Sequence, residues 1–285
     1  MGDGFPMRGS ISSANLAMRA ARRLGRLGSF AWSAWIGLAA LSLIAALWQW
    51  GHEAFGAFVL PQPLSVLVGI GAILSEPENI QIVLDTAVRA LTGLALSFAA
   101  GAGLGVFSGY SPAAMRIARP LITVLLGVPP IAWIVLVMIW FGSSDATVVA
   151  TVFAASAPLL FVGAAEGVVM RDRCIDDMAR VFGAGPIDRI ATIGLRQASA
   201  NLFPALMMAS GTAFKVAVMS ELLTNAGGVG GALADARATL DVGEALAWIM
   251  IAVASLLIVE YVLIHPVRSE LERWRAAALP WGLKR

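Results

Sequence analysis

RDRCIDDMARVFGAGPIDRIATIGLR, residues 171–196, is a polar interruption between long apolar segments of this 285-residue chain. It contains five arginines and four aspartates, and a Gly-Ala-Gly-Pro break at 183–186 divides it in two. Over the whole chain 59% of residues are hydrophobic and 13% are charged, whereas soluble domains average about 45–50% and about 25%. This apolar excess indicates a protein dissolved in lipid, so the 171–196 segment must lie in water or against another protein.

Six apolar runs are each long enough to cross a bilayer as a helix, which takes about 20 residues. The runs are 30–50, 86–107, 121–141, 147–170, 202–223 and 244–265. The first exceeds the apolar core of a signal peptide, so we expect it to remain as an anchor. The pattern predicts an all-α polytopic membrane protein with six transmembrane helices, in which Pro129 and Pro130 kink the third.

Basic residues are concentrated on one side of these spans. Seventeen of the 20 lysines and arginines fall before the first span, between the second and third, between the fourth and fifth, or after the sixth. The positive-inside rule therefore places both termini and the 171–196 segment in the cytoplasm. The expected order is a basic segment 1–29, a first span 30–50, an outer loop 51–85, a core 86–265 and a cytoplasmic tail 266–285.

Two outer segments have patterns of their own. Leu64, Leu67, Ile70 and Leu74 recur at helical spacing, which predicts a helix lying along the outer interface. The glycine-rich run at 227–231 predicts a tight turn or a re-entrant dip.

The composition argues against several kinds of site. Cys174 is the single cysteine, so the chain has no internal disulfide or cysteine metal cluster. His52 and His265 are the only histidines, which argues against a histidine-based catalytic or metal centre. A net charge of +2 does not indicate nucleic-acid binding. The glycines at 101, 103 and 105 follow no strand and the chain has no GxxxxGK sequence, so we expect close helix packing there and no nucleotide or cofactor site.

The 171–196 segment has the pattern of two short helices that meet at an angle. Ile175, Met178, Ala179 and Phe182 follow the i, i+3, i+4, i+7 spacing and form the apolar face of the first helix. The Gly-Ala-Gly run supplies a left-handed cap, and the proline after it fits the first turn of a second helix. Periodicity alone leaves open whether these faces pack on the protein's own spans or on a partner.

The spacing in this segment resembles the signature of permease subunits of ABC importers. That signature is Glu-Ala-Ala, three residues, Gly, nine residues, Ile, one residue and Leu-Pro. The matching positions are Asp177, Met178, Ala179, Gly183, Ile193, Leu195 and Arg196, without a gap. Three of them depart from the family pattern: Asp177 for Glu, Met178 for Ala and Arg196 for Pro.

The resemblance extends over roughly residues 60–275 and points to the nitrate/sulfonate/taurine branch of that family. The stretches that carry it include Leu60-Pro61-Gln62-Pro63, Arg119-Pro120, Val128-Pro129-Pro130-Ile131-Ala132, Trp140-Phe141-Gly142 and Ser220-Glu221.

The resemblance implies a type I ABC importer permease core whose 171–196 loop carries the coupling helix. Residues Asp177, Met178, Ala179, Phe182, Gly183, Ile193 and Leu195 would dock on an ATP-binding cassette ATPase subunit. That partner would use ATP and Mg, and this chain would be no enzyme. A separate extracytoplasmic solute-binding protein would deliver a small anion, such as a sulfonate or a nitrate-like oxyanion, or a related nutrient. We expect a permease homodimer in a bacterial inner membrane.

Charged residues within the spans are candidates for pairing or for function. Arg89 and Asp85 are four residues apart, so we expect them to pair on one helix face. Lys215 lies near the middle of the fifth span. It either lines the solute path or pairs with Glu166 or Glu260 on a neighbouring span, and the pairing is the favoured reading.

The expected solute path or gate consists of Lys215, Glu221, Pro129 and Pro130. Glu221, near the outer end of the fifth span, is either a gate or a structural acceptor. The alternative function is a secondary transporter or channel that couples to an ion through Lys215 and Glu221, although no inverted repeat supports it. An intramembrane enzyme ranks lowest, because the spans contain no histidine pair, cysteine nucleophile or paired aspartates.

Overall fold

The computed structural model describes residue 35 and residues 37–264, with side chains through 262. All regular structure within that range is helical, as the all-α prediction requires. The basic segment 1–29 and the tail 266–285 lie outside the described residues. The chain divides into two compact units, Met1–Leu64 and Ser65–Arg285.

The described part of the first unit contains helix α1, residues 37–55, and the chain that returns from it. Gly56 has a φ of 81°, a left-handed conformation that ends the helix. The His52 Nδ1–H donates to the Leu60 carbonyl at 2.7 Å, and Trp48 Nε1 donates to the Pro61 carbonyl at 3.0 Å. These bonds hold the returning chain against the last turns of α1.

The second unit is built from helices that follow one another with short connections. They are α2 (Pro63–Ser75, which begins at the boundary between the units), α3 (Pro77–Ser97), α4 (Gly103–Tyr110), α5 (Pro112–Gly127), α6 (Pro130–Phe141), α7 (Asp145–Val169), α8 (Arg173–Val181), α9 (Pro186–Arg189), α10 (Leu195–Thr224), α11 (Gly228–Ala238) and α12 (Val242–Val259). Three five-residue π-helical turns, Phe98–Ala102, Ile190–Gly194 and Glu260–Ile264, extend them. The first turn joins α3 to α4, and the second joins α9 to α10.

Four continuous helices in the described part of the chain are long and apolar enough to cross a membrane. They are Pro77–Tyr110, Asp145–Val169, Pro186–Thr224 and Val242–Val262, and they cover all or most of the second, fourth, fifth and sixth predicted runs. The bent pair α5–α6 makes a fifth span if it is counted as one. Helix α1 is not among them, and part of the first predicted run, 30–50, lies outside the described residues.

Two membrane helices extend well beyond the predicted apolar runs. The helix predicted at 86–107 begins at Pro77, within the predicted outer loop 51–85, and the helix predicted at 202–223 begins at Pro186. Hydropathy marks only the part of a helix that lipid surrounds, whereas backbone hydrogen bonding continues into polar sequence. The second helix of the 171–196 segment is therefore not short, because it forms the first turns of a membrane helix.

The third predicted span is broken rather than kinked. Helices α5 and α6 meet at 95°, at a break next to Pro129 and Pro130. Val128 and Pro129 are both extended, with ψ of 122° and 141°. This is the conformation favoured before proline, and Pro130 has no N–H to continue the preceding helix.

The two outer patterns are both found as local structure. Asn225, Gly227 and Gly228 have positive φ and form the predicted tight turn, which leads directly into helix α11. The predicted helix with leucines at 64, 67 and 74 is α2. Its position along the membrane interface stays a prediction.

Helix α7 packs closely against α4 and against the π-helical turn Phe98–Ala102 that precedes α4. A Cβ on Gly101 would meet the Ala157 carbonyl, and one on Gly105 would meet the Phe161 carbonyl of α7. Gly103 faces open space, with no atom within 4 Å of where a Cβ would stand. The close-packing prediction for this run is therefore confirmed at two of its three glycines.

This contrast predicts opposite effects of one methyl group at two neighbouring positions. Gly105→Ala should destabilise the protein by about 1–3 kcal/mol, because α7 leaves no room for a Cβ. Gly103→Ala is the matched control, and we expect it to be neutral or slightly stabilising, since alanine favours helix over glycine. Thermal unfolding of the purified proteins in detergent measures both. Equal midpoints for the two variants would contradict the close approach of α4 and α7.

Candidate functional site

The 171–196 segment folds around the glycine elbow that its sequence predicts. Helix α8 begins where the Asp172 carboxylate accepts a hydrogen bond from the Cys174 N–H at 2.9 Å. The helix ends at Val181, and Gly183 follows with a φ of 84°. Pro186 then occupies the first turn of α9, where the missing N–H leaves no carbonyl unpaired.

The apolar face of α8 is not covered by the described part of the chain. Met178 is 56% exposed and Phe182 is 82% exposed, and Ile175 is also exposed. Asp177 is exposed beside them, and Ala179 is half-buried. The described spans therefore leave this face of α8 uncovered.

Contacts at the base of the loop attach it to the ends of three membrane helices. The Arg171 guanidinium lies 4.5 Å from the centre of the Tyr110 ring, at the end of α4, and its Nη1 donates to the Val168 carbonyl of α7 at 2.9 Å. The Asp172 N–H donates to the Gln197 side chain of α10 at 2.6 Å. The loop thus has an exposed apolar face on a fixed base.

The second half of the predicted coupling set lies where the loop enters α10. Ile193 is half-buried within the π-helical turn, and Leu195 is exposed at the first position of α10. Gly194 between them is buried against the Tyr110 hydroxyl. Sequence reasoning missed Tyr110, although a tyrosine that ends an apolar run beside a polar loop is a signal for such a contact.

A second cluster surrounds Glu221, which is fully buried. Arg89 Nη1 lies 2.8 Å from Glu221 Oε1, and Arg89 Nη2 lies 2.7 Å from Asp145 Oδ1 at the start of α7. One guanidinium therefore joins α3, α7 and α10.

The predicted pairing of Arg89 with Asp85 is wrong. Asp85 is half-buried and instead accepts a hydrogen bond from Gln81 at 2.8 Å. A pair between neighbours on an exposed helix face is worth only a few tenths of a kcal/mol, whereas a buried carboxylate left unpaired is far more costly. The guanidinium therefore turns toward Glu221.

Backbone and hydroxyl groups complete the shell of the Glu221 carboxylate. The Thr86 hydroxyl donates to Glu221 Oε2 at 2.9 Å, and the Gly230 N–H donates to the same oxygen at 3.1 Å. The Thr86 hydroxyl oxygen in turn accepts from the Val229 N–H at 2.8 Å. A Cβ on Gly228 would stand against this carboxylate, so glycine is needed there. The first turn of α11 is thus attached to α3 and α10.

Lys215 is separate from this cluster. It lies six residues before Glu221 on α10, on an exposed face, whereas Glu221 faces the interior. Neither predicted partner, Glu166 or Glu260, forms an ion pair with it among the residues that the structure describes. The structure therefore does not place Lys215 and Glu221 in one path.

Comparison with known proteins identifies the family. The family described as binding-protein-dependent transport system inner membrane component matches residues 101–267, more than half of the chain. The chain belongs to this family. It is therefore an ABC importer permease subunit and a multi-pass inner-membrane protein. This family membership argues against the alternative of a secondary transporter.

Curated relatives of this permease have related names. A probable ABC transporter permease protein of Brucella melitensis is 26% identical over 207 residues, covering 72% of this chain and 84% of the relative. The "Putative aliphatic sulfonates transport permease protein" of Bacillus subtilis is 24% identical, covering 75% and 79%. The nitrate import permease protein of Synechococcus elongatus is 24% identical, covering 67% and 72%. The predicted resemblance to the nitrate/sulfonate branch is confirmed.

The Glu221 cluster predicts how the permease responds to loss of one charge. Glu221→Gln should destabilise it by about 3–5 kcal/mol, because the Arg89 guanidinium is left without its buried partner. Asp85→Asn is the matched control, with an expected change of less than about 0.5 kcal/mol, since its carboxylate bonds to an exposed glutamine and forms no ion pair among the described residues.

Replacing both Arg89 and Glu221 with uncharged residues is a second test of their ion pair. Arg89→Met with Glu221→Met should recover part of the loss, because removing both charges leaves neither unpaired. Thermal unfolding in one detergent compares the wild type, the two single variants Glu221→Gln and Asp85→Asn, and the double variant. A double variant no more stable than Glu221→Gln would argue against direct pairing.

Proposed function

We propose that this permease couples to an ATP-binding cassette ATPase through the apolar face of α8. The observation that supports the proposal is the exposure of Met178 and Phe182 on a helix whose base is fixed to α4, α7 and α10. A large exposed apolar patch with a rigid base is typical of a protein interaction site. Burying one such side chain in a partner contributes about 1.5–3 kcal/mol.

The charge beside that face favours a specific orientation of the partner. The Asp177 carboxylate is exposed next to Met178 and can accept a hydrogen bond from a cationic or N–H donor. Gly183 has a left-handed backbone and open space where a Cβ would stand, which allows a close approach of the partner at the elbow.

Movement at the loop would reach the far side of the membrane through one helix. Residues 186–224 form a single helix of 39 residues that starts at the elbow and ends three residues after Glu221. We propose alternating access, in which ATP binding by the partner draws two coupling loops together and hydrolysis resets them. ATP and Mg belong to the partner, and this chain contributes no covalent chemistry.

The proposal also covers the oligomeric state, the orientation, the solute-binding partner and the solute. We infer a permease homodimer with both termini in the cytoplasm, supplied by an extracytoplasmic solute-binding protein. The proposed solute is a small anion such as a sulfonate or a nitrate-like oxyanion. The relatives named for aliphatic sulfonates and for nitrate support this choice.

A pair of neighbouring substitutions tests the docking face. Phe182→Asp should reduce the amount of co-purified ATPase by about tenfold or more, because a charge replaces an apolar contact. Val181→Asp is the matched control: Val181 is equally exposed, at 85%, but lies off the face formed by Ile175, Met178 and Phe182. The measurement is retention of a co-expressed ATPase subunit on the tagged permease. Equal loss in both variants, or no loss in either, would contradict docking through this face.

A further inference from the structure

Lys215 is a charge within the membrane for which the coupling loop and the Glu221 cluster provide no role. It lies nine residues before the end of α10 at Thr224, a rise of about 14 Å along the helix. The ion pairs found among the described residues belong to Arg89 and Arg189, and none includes Lys215. A charge at membrane depth costs about 2.5–3.5 kcal/mol, so this ammonium requires an anion or water.

A groove with a volume of about 290 Å³ lies beside Lys215. One wall is a face of α10 on which Lys215, Val218, Met219 and Leu222 recur at helical spacing. Residues from α11 and α12, Trp248 and Ala252 among them, complete the lining, which is apolar except for Lys215.

Two residues of the groove lining are held by hydrogen bonds. Trp248 is buried, and its Nε1 is already hydrogen-bonded to Glu244 at 3.3 Å, so it offers the groove only apolar ring surface. Val229, also in the lining, is attached through its N–H to Thr86 and hence to the Glu221 cluster.

We infer that this groove binds an organic anion with a compact apolar body, with its anionic group on Lys215. The inference deepens the proposed function and rests on it, since it names the class of solute within the proposed anions. A cation that forms no ion pair among the described residues selects a negative charge, and the apolar walls select a hydrocarbon. A bare oxyanion is too small for a volume that would hold about ten waters, and these walls cannot replace its lost hydration.

Binding of butane-1-sulfonate to the full-length permease in phosphatidylcholine nanodiscs tests the inference by calorimetry. Lys215→Met should weaken binding by about tenfold or more, because a charge-assisted hydrogen bond is lost, whereas Lys215→Arg should retain it within about threefold. Inorganic sulfate should bind about tenfold more weakly than butane-1-sulfonate, since it leaves the apolar walls unfilled.

Two substitutions on α12 test the apolar part separately. Ala252→Phe fills the groove and should also weaken binding about tenfold. Ala254→Phe is the matched control, since Ala254 is exposed on the same helix and lies outside the lining; its affinity should equal that of the wild type.

Four results would overturn the inference. The first is equal affinity for sulfate and butane-1-sulfonate, and the second is an affinity that neither Lys215→Met nor Ala252→Phe changes. The third is an anionic phospholipid that co-purifies with the wild type but not with Lys215→Met, and that the probe does not displace. The fourth is disulfide crosslinking of two chains through Met219→Cys in a Cys174→Ser background. The third would assign the groove to lipid, and the fourth would assign it to a second copy of the chain.

Retention of the co-expressed ATPase, measured on the same variants, separates this inference from the proposed function. A wild type that retains the ATPase but does not bind butane-1-sulfonate refutes the groove alone. A wild type that binds the probe but retains no ATPase refutes the coupling proposal and leaves the anion site standing.

Discussion

A fully buried carboxylate, that of Glu221, constrains the arrangement of the membrane helices around it. A charge at this depth is stable only when every acceptor position is satisfied, and here the donors come from Arg89 and Thr86 on α3 and from the Gly230 backbone of α11. Through Arg89 the same charge reaches Asp145 at the start of α7. Four helices are thereby held by contacts with directional geometry, whereas apolar packing against lipid has no preferred direction.

The features that sequence predicted well are those set by local chemistry. Apolar runs identify membrane helices because lipid demands apolar side chains over a fixed length. The break next to Pro129 and the elbow at Gly183 were predictable because proline removes a donor and glycine accepts a positive φ wherever they occur. The sharpness of the break, 95°, was not predictable, because a proline pair in the sequence does not fix the angle between the two helices.

The features that sequence missed depend on which helices lie side by side. Asp85 was a reasonable partner for Arg89 on one helix, but the actual partners are distant in sequence and are brought close only by packing of α3, α7 and α10. Tyr110 was overlooked because its contact with Arg171 joins the end of one span to the end of another. The polar extensions of α3 and α10 were missed because hydropathy gives no signal outside lipid.

The continuous helix from Pro186 to Thr224 is long enough that a small tilt at one end displaces the other end by several ångströms. At 1.5 Å per residue its 39 residues extend over about 58 Å, so a tilt of about 5° at the elbow displaces the far end by about 5 Å. That displacement is comparable to one turn of helix, and it is delivered where α10 meets α11 and the Glu221 shell. Under the proposed coupling, a helix of this length would convert a small closure of an ATPase pair into a shift large enough to exchange one set of hydrogen-bond partners for another.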